Sequence, residues 1–155
     1  MRRAGWLLAL ILLAPATAGA AMNTNGWGPR VGFSINPDQF VLGGQFIAGD
    51  VAPNIDLVPN LELGFGDHTT TIQMNLDMRY RFQLAHSPWT PYAGLGLGVA
   101  WFDFSDDGSE TDVGGTIIGG ARVPTKAGNQ FFAEMRLGLG DVADWKFLVG
   151  WNFMH

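Results

Sequence analysis

Cysteine is absent from this chain of 155 residues, which excludes a disulfide framework and a lipid-modified cysteine anchor. Basic residues are scarce, with 9 Lys and Arg against 14 Asp and Glu, so no patch suited to nucleic acid can form. A membrane-spanning helix is excluded as well: the most apolar run, residues 7–13, falls far short of the roughly 20 residues a helix needs to cross a bilayer. Phosphate-loop, zinc-site and dinucleotide spacings are all missing, and no helical period runs through the chain. Neither a cofactor nor a metal is expected.

What is present begins with an export signal. Arg2 and Arg3 precede the apolar run, and Ala18-Gly19-Ala20 supplies the small residues of a cleavage site. Residues 1–20 are therefore read as a signal peptide, cleaved after Ala20 or Ala21, and residues 21–155 as one domain. Removing Arg2 and Arg3 leaves seven basic residues against 14 acids, a mature charge of 7 − 14 = −7.

The domain itself is a series of alternating segments of about 10 residues, broken by Gly, Pro, Asp and Asn clusters, which is the pattern of a transmembrane β-barrel. Eight segments are expected, at 30–36, 39–49, 55–66, 69–83, 90–104, 111–123, 129–140 and 143–154. The last alternates most cleanly: Trp145, Phe147, Val149, Trp151 and Phe153 share one face, and Lys146, Leu148, Gly150, Asn152 and Met154 the other. The fourth sets Ile72, Met74, Leu76, Met78 and Tyr80 against Thr71, Gln73, Asn75, Asp77, Arg79 and Arg81. Ile47 and Ile118 weaken the pattern, because both fall on a face that is otherwise polar.

A soluble barrel also alternates, so the inward face has to be decided. Six of the seven mature basic residues (all but Lys126) lie opposite the aromatics, together with Asp56, Glu62, Asp77 and Glu134. Gly94, Gly96 and Gly98 share that face. Turned outward, these glycines would cover nothing, and the aromatics would crowd a lumen that eight strands barely leave open. With the polar face inward, the glycines make room for Arg side chains and Tyr92, and the apolar face meets lipid. Aromatics near the strand ends, among them Phe33, Phe65, Trp101, Trp145 and Trp151, fit interfacial girdles. The expected fold is all-β: an eight-stranded antiparallel transmembrane barrel.

The run Pro91-Tyr92-Ala93-Gly94-Leu95-Gly96-Leu97-Gly98 and the aromatic last strand resemble the small outer-membrane β-barrel superfamily of the OmpA membrane domain and OmpX. The resemblance covers the chain from about Pro29 to its end. It implies an outer-membrane location, a monomer, and outer-membrane lipid, lipopolysaccharide and the barrel-insertion machinery as partners. It also implies an assembly signal in the last strand, with Gly150, Phe153 and His155 at the family's spacing, although the family usually ends on Phe or Trp. Both termini would be periplasmic. Turns near 37–38, 67–68, 105–110 and 141–142 would then lie outside the cell, and those at 50–54, 84–89 and 124–128 inside.

Three constellations could carry function. Arg79, Arg81, Arg122 and Arg136, with Glu62, Asp77 and Glu134, either line a narrow ion pore or pair into a network that plugs the lumen. The plug is the expected arrangement, because buried charges must be paired. The acidic run from Asp103 to Asp112 half-resembles a calcium loop through Asp103, Ser105, Asp107 and Gly108, but position 12 is Gly114, where a bidentate Glu belongs. A solvated hairpin tip is expected there. His68, His86 and His155 form no base–nucleophile set in sequence, so no enzyme is expected. The expected role is structural, in membrane integrity. An adhesin is the alternative, and a narrow porin a further one.

Overall fold

The computed structural model describes residues 25–155 apart from 107 and 141; the expected signal peptide lies outside the described residues. The described chain forms nine strands. Eight are long: β1 (Gly26–Ile35), β2 (Gln39–Ile47), β4 (Ile55–Phe65), β5 (Thr69–Arg81), β6 (Thr90–Phe104), β7 (Gly108–Pro124), β8 (Gln130–Gly140) and β9 (Trp145–Met154). β3 (Asp50–Ala52) is a short spur on β4. Every pairing is antiparallel, and β1 bonds to both β2 and β9, so the eight long strands close into a barrel with no free lateral edge. No helix long and apolar enough to cross a membrane occurs among the described residues.

The strands stand close to where alternation places them, with three differences. β1 starts at Gly26 rather than residue 30, because Trp27 and Pro29 continue its outward face although Gly28-Pro29 reads as a turn. β7 starts at Gly108 rather than 111, so most of the acidic run is strand, with a turn at 105–106. β3 occupies part of the connection expected at 50–54. At the β6–β7 turn Gly108 has φ +84, a left-handed conformation that glycine adopts at no steric cost.

The two faces divide as the alternation requires. Leu95 and Leu97 are 66% and 70% exposed, and Phe33, Phe46, Met74, Trp145 and Phe147 are exposed with them. A continuous apolar exterior on this scale is intolerable in water, whereas in lipid it is the favourable surface of a barrel closed by antiparallel ladders. Aromatic pairs sit toward both ends of this surface, Trp27 with Phe153 at 5.0 Å and Phe33 with Phe147 at 6.0 Å. The lumen is mixed rather than wholly polar. Ile47 and Ile118 face inward and are buried, together with Val41, Val58, Phe132 and Leu148. These residues fill the space between charged groups, as side chains do in a barrel this narrow.

Candidate functional site: the charged lumen

Mid-lumen positions of seven long strands converge on one hydrogen-bonded network. Asp77 of β5 is its first node: Arg136 of β8 donates to both carboxylate oxygens at 2.8 Å, Arg79 donates at 3.0 Å and Asn60 at 2.8 Å. Glu134 of β8 is the second, accepting from Arg30 at 2.8 Å, Arg136 at 3.0 Å and the Tyr92 hydroxyl at 2.8 Å, with Arg79 at 3.2 Å. Glu62 of β4 is the third, bound by Lys146 at 2.6 Å and lying 3.4 Å from Arg30. Amides join the nodes: Gln45 accepts from Arg30 at 3.1 Å and donates to Asn152 at 2.7 Å, and Gln73 accepts from Lys146 while donating to Asn75 at 2.7 Å. The Arg79 guanidinium also lies over the Tyr92 ring, 5.3 Å from its centroid.

The glycines are spatially necessary here. A Cβ on Gly96 would lie 2.4 Å from the Asp77 carboxylate and 3.2 Å from the Arg136 guanidinium, and one on Gly120 would lie 2.7 Å from the Tyr92 ring. Small residues on β6 and β7 thus vacate the space that the arginines and the tyrosine occupy. The void left among Gln39, Glu62, Thr71, Gln73 and Lys146 measures about 10 Å³, room for roughly one water.

Arg81 and Arg122 do not join this network. They were expected to meet Glu62, Asp77 or Glu134, but Arg81 ends β5 and Arg122 lies near the end of β7, too far along the barrel to reach its middle. They form a second cluster at the end that carries the chain termini: Arg81 with Asp50 at 2.5 Å and Asp56 at 3.5 Å, and Arg122 with Asp56 at 3.0 Å. Arg30 and Lys146 take their places in the middle. Both already lay on the inward face by alternation; what was missing was their height along the barrel. The mid-lumen set holds four cations (Arg30, Arg79, Arg136, Lys146) and three carboxylates (Glu62, Asp77, Glu134).

The remaining candidates lie outside the lumen. His68 is exposed in the β4–β5 turn, His86 is exposed in the β5–β6 connection, and His155 is exposed beyond β9. Phe153 faces outward beside Trp27, and a Cβ on Gly150 would lie 2.5 Å from the Phe132 ring. Among the described residues no cluster of three metal-ligating side chains occurs; Asp107 of the half-matched calcium loop is outside them. Asp38, Asp67, Asp103, Asp106, Glu110 and Asp144 all stand at the end opposite the C-terminus, whereas the Lys and Arg residues among the described ones lie in the lumen or at the other end.

No protein family profile matches the chain, and no curated protein matches it. Solved structures do. The N-terminal β-barrel domain of Pseudomonas aeruginosa OprF is 17% identical with a TM-score of 0.65, over 84% of this chain and 98% of that one. Neisserial surface protein A is 14% identical with a TM-score of 0.59, over 84% and 94%. The outer membrane enzyme PagL is 11% identical with a TM-score of 0.54, over 84% and 99%. The chain has the fold of the small eight-stranded outer-membrane β-barrels.

Proposed function

We propose that the protein is an integral component of the bacterial outer membrane with a structural role, its lumen sealed by side chains rather than open to solutes. The reading places the termini and the 48–54, 82–89 and 125–129 connections in the periplasm, and the acidic end outside the cell. The observation that carries it is the mid-lumen network, in which cations and carboxylates of non-adjacent strands meet at hydrogen-bonding distance across the lumen, with a void of only about one water beside Glu62 and Lys146. A conducting pore would need those charges apart and hydrated. Catalysis gains no support from the histidines, since His68 and His86 stand at opposite ends of the barrel.

Single-channel recording of the purified protein refolded in planar bilayers tests this reading. Conductance indistinguishable from the bare bilayer is the expected result; steady, reproducible steps would replace the plug with a narrow porin. Assembly belongs to the same reading, with Gly150, Phe153 and His155 as the signal for the insertion machinery. Removing residues 153–155 should abolish heat-modifiable, membrane-inserted protein more completely than deleting any turn, and normal insertion of the truncated chain would overturn that role.

A further inference from the structure

On the outer surface of the acidic end, two rows of side chains cross β5, β6 and β7. The lower row is Ile72, Trp101 and Thr111; the upper is Thr70, Asp103 and Ser109, each aligned with the next by strand register. Between them lies an open concavity of about 390 Å³, bordered by Thr70, Ile72, Trp101, Asp103 and Ser109. Gly108 at its edge carries no side chain to fill it. On β5 and β6 the outward face therefore changes within one pleat from apolar and aromatic to hydroxyl and carboxylate, the sequence of chemistry met on passing from acyl chains to headgroups.

The upper row is also exposed. The carboxylate of Asp103 and the hydroxyls of Thr70 and Ser109 make no hydrogen bond or ion pair with any other described residue, while Trp101 beside them is 41% exposed. Three outward polar groups free of protein partners, next to an aromatic side chain, suit a polyhydroxylated ring: hydroxyls to bond the row, and an apolar C–H face to rest on the indole. Charge narrows the choice. The acids of this end and the absence of Lys or Arg beside the concavity disfavour a phosphate group and favour a neutral sugar.

We propose that this concavity is a binding site for a neutral saccharide ring of a membrane glycolipid, with Trp101 as the stacking platform and Asp103, Thr70 and Ser109 as the hydroxyl partners. The site rests on the membrane placement proposed above. It can be tested by NMR of the full barrel in phosphatidylcholine nanodiscs doped with diglucosyl diacylglycerol, with phosphatidylglycerol as the anionic control. The sugar lipid should give saturable shifts confined to Thr70, Trp101, Asp103 and Ser109, with cross-peaks from sugar protons to the Trp101 indole. Asp103→Asn and Trp101→Leu, both at exposed positions, should each weaken that response at least fivefold while the barrel stays folded. Equal shifts with phosphatidylglycerol, shifts spread around the whole belt, or an unchanged response in both variants would overturn the site. A barrel that failed to enter the nanodisc would overturn the membrane placement itself, whereas an inserted barrel without a saturable response overturns this site alone.

Discussion

The barrel holds two sets of ion pairs made from the same residue types, and their distances barely differ. Arg136 meets Asp77 at 2.8 Å in mid-lumen, and Arg81 meets Asp50 at 2.5 Å at the terminal end. Their surroundings differ sharply. The Arg136 and Asp77 side chains are 2% and 0% exposed, whereas those of Arg81 and Asp50 are 21% and 42% exposed. Contact distance is therefore a poor measure of what each pair does. A buried charge that loses its partner stays in a medium that cannot solvate it, whereas a rim charge turns to water. The middle set is built to be indispensable once formed, and the exposed Arg81–Asp50 pair at the rim to be replaceable.

The strongest test of that contrast is Glu134→Gln. Glu134 serves Arg30, Arg79 and Arg136 together, and the mid-lumen set already has one cation more than it has carboxylates. Neutralising it should destabilise the barrel by about 3–5 kcal/mol, read by urea unfolding in lipid vesicles with tryptophan fluorescence as the signal. Conductance should stay at the bilayer baseline. A loss below about 1 kcal/mol would put the middle pairs in the same class as surface pairs, and raised conductance with unchanged stability would make them the lining of a channel.

A smaller effect is expected on the other side of the same wall. Leu76 lies between Asn75 and Asp77 on β5 but points toward lipid. Leu76→Arg should cost about 2–4 kcal/mol, the range for a charge near the bilayer midplane. The comparison with Asp77 is direct, because neighbouring residues on one strand face opposite solvents. If Leu76→Arg proves neutral in the same unfolding assay, the exterior at this height is not in the hydrocarbon.

Much of this was legible in the sequence, because alternation is a local property: Met74, Leu76 and Met78 against Asn75, Asp77 and Arg79 fix the strand, its faces and its solvents without reference to any other part of the chain. Ile47 and Ile118 looked like defects, since a wholly polar lumen was assumed; in a narrow barrel apolar side chains are needed to fill space between charges. The pairing scheme was only half legible. Which face a charge occupies follows from parity, but which partner it meets depends on height along the barrel, and that is set by the stagger between strands. Arg81 and Arg122 had the right parity and the wrong height. Arg30 and Lys146 had both, yet sit on β1 and β9, whose closure against each other no local pattern displays.

The rim offers the smallest predicted effect and the finest discrimination. Arg81→Met removes the pair with the exposed Asp50, but Asp56 keeps Arg122 at 3.0 Å. Its cost should fall below about 1 kcal/mol, as for exposed pairs generally. Arg122→Met should cost more than Arg81→Met, since Asp56 is 3% exposed and would keep only Arg81, at 3.5 Å. Salt separates the two sets further. At 1 M the screening length contracts to about 3 Å, so the cost of Arg81→Met should shrink toward zero while that of Glu134→Gln barely changes. Measuring both variants by urea unfolding at low and high salt checks this. Should Arg81→Met cost as much as Glu134→Gln and resist salt equally, water does not reach the terminal end, and the barrel is sealed along a greater length than its middle network alone requires.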